Sequence, residues 1–455
     1  MADGTVTLES LKALVDAQQK TIDMQTSMNM EAFYWWCTAL MIMIHAGFLA
    51  YEIGASRTKN ALAAGIKNIL ALALIIPVFY LVGWWIYLSF PEGLIPNSVA
   101  SALPWSVSMG PKLDEMGTGI FWAAFAMFGA TTGSILSGAV IERMRVSSFL
   151  ILTIAVGGII WILAAAWGWH PEGWLLTKLG YHDVGAAGVV HAVAGFFTLG
   201  VLLNLGARRG RFINGVAQTI APHSLPMTLI GLMMIIFGFF GFLGGCIIYN
   251  AGDAGWTTIY GTPTNLSAFA FNTLMGFAGG IVGCYFATRD PFWTMSGGLV
   301  GIIAIAAGLD LYDPGLAFCL AAGTGVLAVQ FAKMLEKFGI DDAVGAVAVH
   351  GFAGSLSVIL VGIFANNMPN AEGIPPITFT GQLISTGVMI VLGFVPGYGI
   401  SYLLKKFSML RVPGTVEDKG IDEVELLAKP YPESMVPASY ASEVPNKLAN
   451  NQGAL

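Results

Sequence analysis

Charge is what this chain of 455 residues has least of: 11% of its residues are Asp, Glu, Lys or Arg, against 56% apolar. A water-soluble domain of ordinary composition carries about a quarter charged residues. A chain this poor in charge cannot cover a surface that faces water, and its mean hydropathy of +0.72 makes lipid its solvent. Cysteine is scarce as well. Cys37, Cys246, Cys284 and Cys319 lie far apart inside apolar stretches, and no CxxC or Cys/His spacing suggests zinc. All four are expected to be buried as small apolar side chains. Residues 1–30 lack the apolar run of a cleavable signal peptide. No HExxH and no Ser/His/Asp arrangement is visible, so an intramembrane hydrolase or metalloenzyme finds no support, and neither enzyme activity nor a cofactor is expected. The formal charge of −6 is modest and gives no sign of a nucleic-acid partner.

What the chain does have is long apolar runs. A membrane-spanning helix needs about 20 predominantly apolar residues, and eleven such runs are readable, at 32–54, 62–89, 118–141, 146–168, 186–206, 225–248, 267–287, 291–309, 315–335, 343–364 and 380–404. The fold class is therefore an all-α polytopic membrane protein. Ahead of the first run, Leu8, Leu11, Leu14 and Val15 recur at helical spacing, which predicts a short amphipathic helix. Residues 1–31 read as an extracytoplasmic extension, 32–408 as the membrane domain and 409–455 as a cytosolic tail.

Basic residues near span ends stay on the cytoplasmic side. Loops after odd-numbered spans, with the start of the tail, hold Arg57, Lys59, Arg143, Arg145, Arg208, Arg209, Arg211, Arg289, Lys333, Lys337, Lys405, Lys406 and Arg411. Loops after even-numbered spans hold Lys112 and Lys178. This asymmetry places the N-terminus outside and the C-terminus inside.

Two segments repeat each other. Asp183 precedes His191 by the same offset as Asp342 precedes His350, and Ala-Gly follows each at the same distance, ending at Gly195 and Gly354. The first copy opens the fifth span and the second opens the tenth. Five spans per copy is an odd number, so the second copy is inverted, a plan that sets transporter sites near the midplane. Eight residues of helix advance about 12 Å, so the two histidines approach the centre of a core about 30 Å thick from opposite sides. Intramembrane histidines are costly unless they face a cavity or a partner, and a matched pair points to a transport pathway. His45 has no repeat mate, and His170, His182 and His223 fall in loops or span ends. These four read as structural.

The order and spacing of further motifs resemble the Amt branch of the Amt/Rh/methylammonium-permease family across nearly all of residues 32–425. The stretches are Gly54-Ala-Ser-Arg-Thr-Lys-Asn60, Glu142-Arg-Met-Arg145, Asp183 to Gly195, Pro222-His-Ser-Leu-Pro-Met227, Asp341 to Gly354 and Leu410-Arg-Val-Pro413. That resemblance implies an eleven-span protomer on a five-plus-five inverted repeat, with a central pore in each protomer and assembly as a homotrimer in the plasma membrane. It implies ammonium or methylammonium as cargo. The family's twin pore histidines fall on His191 and His350, its outer aromatic site and phenylalanine gate on Trp169, Phe128 and Phe242, and its outer acidic residue on Asp183. The hydroxyl usual at the outer site is replaced here by Cys246, a weaker acceptor. Ala124 stands where many members carry another Phe, which implies a looser cage. The tail resembles a regulatory segment that could meet a PII-type protein. An ammonium sensor with little flux, and an Rh-type ammonia or carbon dioxide channel, stay open as alternatives.

Overall fold

The computed structural model describes residues 7–97, 116–250 and 255–432. Lys112 and the last part of the expected tail lie outside the described residues. Among the described residues ten helices are long and apolar enough to cross a membrane, and an eleventh, shorter apolar helix lies between two of them. In chain order they are α1 (Leu8–Ala55), α2 (Thr58–Ser89), α3 (Gly119–Ala139), α4 (Val146–Gly168), α5 (Ala187–Leu205), α6 (Leu225–Gly244), α7 (Leu266–Thr288), α8 (Pro291–Ala306), α9 (Pro314–Lys337), α10 (Val347–Phe364) and α11 (Phe379–Lys406). The chain is a multi-pass, mostly helical membrane protein. Two small hairpins, pairing Phe212–Ile213 with Val216–Ala217 and Ile247–Asn250 with Gly255–Thr258, are the strands among the described residues.

Sequence punctuation explains where the helices begin. Asn265, Asp290 and Thr378 each accept a backbone N–H from the first turn of the helix that follows, satisfying one of its orphan donors. Pro291 and Pro314 occupy first helical positions, where the missing N–H costs nothing. Inside α2, Pro77 is followed by a widened π-turn over Phe79–Gly83, the usual accommodation of a break in the hydrogen-bond ladder.

Two expectations are corrected. The extension before the first span is not a separate short helix: Leu8 to Ala55 is one helix of 48 residues. Residues 16–31 contain no Gly or Pro, so nothing stops the helix. At 1.5 Å per residue it is about 72 Å long, more than twice the hydrocarbon core, and its first half is exposed. Cys319 is exposed, whereas Cys37, Cys246 and Cys284 are buried. An apolar side chain on a membrane helix is satisfied by lipid as well as by a core, so hydropathy alone does not separate the two faces.

Packing relates the two halves. α1 lies along α6, α7 along α8 and α9, and α5 along α11. The glycines are where backbones touch. A Cβ on Gly231 would meet the Tyr51 backbone nitrogen at 2.3 Å, and one on Gly280 the Gly297 carbonyl at 2.0 Å. Close approach through small residues is how helices associate in lipid, where burial of apolar area contributes little.

At the end where α11 stops, the chain folds back on the helix bundle. The Arg145 N–H donates to the Leu410 carbonyl at 3.2 Å and the Val412 N–H to the Arg143 carbonyl at 3.0 Å. Asp422 accepts the Leu62 and Ala63 N–H groups at 2.9 and 2.7 Å, capping the start of α2. Beneath lies a buried charge cluster. Arg208 holds Asp341 with Nε and Nη2 at 2.9 and 3.0 Å, and Arg143 Nη2 donates to the Asp341 carbonyl at 2.6 Å. Burial works against the Asp341 charge, but Arg143 and Arg208 hold its carboxyl well below the usual range.

Candidate functional site

The site begins at the opposite end, where α4 ends. Trp169 is 1% exposed, and its indole Nε1 donates to the Asp183 carbonyl at 2.8 Å. That bond fixes the ring plane. Phe128 on α3 stands edge-on to it, with ring centres 5.7 Å apart, and Phe125 lies 5.8 Å from it. Phe128 packs in turn on Phe242 of α6 at 4.3 Å, and Phe242 lies 5.7 Å from the His191 ring. The aromatic rings thus form a column from Trp169 to the first histidine.

Cys246 sits one helical turn past Phe242, buried, with Sγ 3.4 Å from the Phe242 carbonyl. Position 124 is a buried Ala, but the cage is not left short of a ring, because the adjacent Phe125 packs against Phe128, Trp161 and Trp169. Phe239 is a second residue that sequence reasoning missed. It stacks 6.0 Å from His191 and 5.3 Å from Phe242. Both are phenylalanines in apolar spans, and their types differ in nothing from ordinary packing residues.

Below the aromatic column the two repeat copies meet. Each histidine lies in a π-helical turn at the start of its span, Ala187–Ala192 and Val347–Phe352. The two rings stack with centres 5.1 Å apart, and Nδ1 of His191 is 3.1 Å from Nδ1 of His350. The glycines of the repeated motif permit the crossing. A Cβ on Gly195 would sit 2.1 Å from the Gly351 nitrogen, and one on Gly354 2.4 Å from the Ala187 carbonyl.

The repeat aspartates cap these two helices. Asp183 accepts the N–H groups of Ala187, Gly188 and Val189 at 2.7, 2.8 and 3.0 Å, and the Tyr181 hydroxyl at 2.9 Å. Burial pushes its carboxyl up, and these four donors pull it back. Asp342 accepts the Ala346 and Val347 N–H groups at 2.9 and 2.7 Å. His182, read as ordinary from sequence, is buried beside Asp310, with Nε2 3.1 Å from the carboxylate. Burial opposes its protonation, but Asp310 raises it. His45 is buried 3.4 Å from Ser134 Oγ, away from the histidine pair.

A single proton joins two neutral imidazoles at this Nδ1 separation. One ring donates through Nδ1–H and the other accepts through its Nδ1 lone pair. The donor ring then carries a bare Nε2 and the acceptor ring an Nε2–H. A proton taken up at the bare nitrogen is matched by one passed between the Nδ1 atoms and one released at the far Nε2. Imidazole is the side chain whose ordinary pKa permits this near neutrality.

The sequence model of the Ammonium Transporter Family matches residues 32–431. Ammonium transporter Amt2 of Archaeoglobus fulgidus is 31% identical over 423 residues, covering 87% of this chain and 86% of the relative. Ammonium transporter Amt1 of Methanocaldococcus jannaschii is 29% identical over 403 residues, covering 88% and 96%. Among solved structures, a sensor Amt protein superimposes with a TM-score of 0.76 at 26% identity, covering 89% of this chain and all of that one. The fold is shared with Candida albicans Mep2 at a TM-score of 0.68, covering 85% and 86% at 20% identity. The chain belongs to the Ammonium Transporter Family.

Proposed function

We propose that this protein carries ammonium, or methylammonium, across the membrane through the column that runs from Trp169 to His350. The observation that carries the reading is the uninterrupted succession of Trp169, Phe128, Phe242, His191 and His350. An ammonium ion entering from water loses hydration, and the π face of Trp169 replaces part of it, worth about 0.5–2 kcal/mol. Cys246, one turn from Phe242, stands where its weakly accepting sulfur meets the ion. Asp183 acts on the ion through potential and through the backbone it holds, because its oxygens are already occupied by four donors. Phe128 and Phe242 close the column to bulk water. Ammonium gives up its proton beside them, and ammonia and the proton pass along the imidazole pair.

The basic asymmetry of the loops puts the Trp169 end outside and the tail end in the cytosol, with the protein in the plasma membrane. Family membership supports assembly of three copies, and the folded-back tail offers a cytosolic face for a PII-type regulator. The decisive measurement is current and uptake in proteoliposomes under an ammonium pulse, together with growth rescue of a transporter-deficient host. Ammonium-dependent current with rescue supports transport. Ammonium binding with neither current nor rescue sinks it.

A second reading, ammonium sensing with little flux, is favoured by the likeness to the sensor Amt protein and by the thiol at position 246. The same experiment separates the two. An Rh-type channel for neutral gas is disfavoured by Trp169 and would show uptake without current.

A further inference from the structure

In the wall of a cavity that His350 also lines, the structure places a carboxylate outside both copies of the repeated motif. Glu52, near the end of α1, is 1% exposed and fully within the helix bundle. Among the described residues it has no ion-pair partner, and its carboxylate is met only by neutral groups. Asn68 Nδ2 donates to Oε2 at 2.8 Å, and Ser137 Oγ lies 2.5 Å from Oε1. A buried, unpaired carboxylate costs several kcal/mol and is retained in a membrane protein where it handles ions or protons.

The hydrogen-bond count indicates its protonation state. Ser137 Oγ is 2.5 Å from Glu52 Oε1 and also 2.5 Å from the Ser134 carbonyl. A hydroxyl has one proton, so it cannot supply both contacts. If the hydroxyl donates to the Ser134 carbonyl, the Glu52 contact requires a proton from the carboxyl itself. Asn68 Oδ1 also lies 3.3 Å from the same hydroxyl. A neutral, proton-bearing Glu52 supplies a proton to each of the two short contacts, while an ionised one leaves those two acceptors sharing a single proton.

A cavity of about 20 Å³ is shared by this carboxyl and the pore. Glu52 and His350 both line it, with Tyr51, Gly138, Val344 and Val349 among the other walls. A cavity needs roughly 10–15 Å³ to hold a water and two or more polar partners to retain it, and here there is room for one water between an imidazole and a carboxyl. Gly138 keeps that space open, because a Cβ there would stand 3.4 Å from Glu52 Oε1 and 2.6 Å from Val344 Cγ2. Lys67 of α2 faces the same region and directs Nζ to the Met144 carbonyl at 2.8 Å. Tyr51 turns its hydroxyl to Ser296 Oγ, 3.1 Å away.

We propose that Glu52 is the proton holder on the inner side of the histidine pair. It receives through one water the proton that leaves His350, after giving its own proton to the inner solvent. In the transfer the His350 Nε2–H bond breaks as a water O–H bond forms, and a different O–H bond of that water breaks as the carboxyl O–H forms. The charge ends on no atom of the pore. The proposal rests on the transport reading above and adds a site to it.

The test uses the full-length protein in proteoliposomes. Difference infrared spectra of the wild type should contain a protonated carboxylic C=O band at neutral pH that Glu52→Gln removes. Glu52→Gln should lower the ammonium-driven current about a hundredfold, the low end of what loss of a positioned proton-transfer group costs, with its thermal melt unchanged. Glu52→Asp should keep part of the current, and Gly138→Ala should lower it while leaving the infrared band in place. Wild-type current in Glu52→Gln, with the wild type conducting, overturns the inference and leaves the transport reading standing. A wild type without ammonium-driven current overturns the transport reading and the inference together. Absence of the band overturns the proton assignment even if every substituted chain fails to fold.

Discussion

The two copies of the repeated motif, one opening α5 and the other opening α10, are alike in chain and unlike in surroundings. Both cap a broken helix with an aspartate, both put a histidine in a π-helical turn, and both follow it with a glycine at the crossing. At the α5 copy Asp183 is tied by four donors and His191 is roofed by Phe239 and Phe242. At the α10 copy Asp342 has two backbone donors, and His350 opens on a small cavity whose wall it shares with Glu52. The same local sequence therefore makes one end packed against aromatic rings and another that opens on a cavity with a carboxyl in its wall. The difference lies in what faces each histidine: Phe239 and Phe242 of α6 at His191, and Glu52 of α1 with Gly138 of α3 across the cavity at His350.

Substituting the histidines tests whether the pair is one unit with two unlike ends. His191→Ala and His350→Ala should each cut or alter the selectivity of the ammonium current by about a hundredfold. The double substitution should do little more, because either removal breaks the same Nδ1–Nδ1 link. Additive losses in a current assay would show two separate sites.

The crossing glycines should differ next. A methyl on Gly195 meets the Gly351 nitrogen at 2.1 Å, whereas one on Gly351 meets the Gly195 carbonyl carbon at 3.2 Å. Gly195→Ala should cost about 3 kcal/mol, the upper end of ordinary overpacking, and Gly351→Ala about 1 kcal/mol. Thermal melts in detergent compare them, and equal melts would show that the backbones separate freely.

Smaller effects are expected at the caps. Asp183→Asn should destabilise by about 2 kcal/mol and Asp342→Asn by about 1 kcal/mol, in proportion to the charged hydrogen bonds weakened. The second also carries a pH signature. Burial pushes the Asp342 carboxyl up to about 6 from an ordinary 3.8, so the folded form binds its proton more tightly than the unfolded chain. Its contribution to stability is full below the ordinary value and is lost as pH rises through about 6. Asp342→Asn should flatten the melting temperature across that window, and an unchanged slope would assign it to another group.

The smallest effect is expected at the Trp169 end of the column. Cys246→Ser replaces a weak acceptor by a hydroxyl, which should tighten apparent ammonium affinity by about 1 kcal/mol. A concentration series of the transport current reads it, and looser binding would remove position 246 from the ion's path.

The eleven apolar runs, the inversion between the copies and the histidine pair were legible because each rests on spacing along one chain. The identity of the ring beside Phe128 was not. Ala124 suggested a gap, and Phe125 filled it because the α3 backbone presents the adjacent position to Trp169. His182 looked ordinary in a loop until Asp310, far along the chain, was brought beside it. Glu52 lay in an apolar span without a repeat mate, and nothing in the spacing related it to His350. The continuous α1 helix was misjudged for a different reason: a drop in hydropathy ends a membrane span but does not end a helix.

By itself the sequence determined that this protein lives in lipid, crosses it many times and carries one motif twice in opposite directions. Hydropathy and periodicity are local properties, and a bilayer converts them directly into spans. Only the tertiary structure decided which polar groups meet. Hydrogen bonding reaches no further than about 3 Å, and the partners of His191, Asp183 and Glu52 come from different helices whose contacts no single stretch encodes.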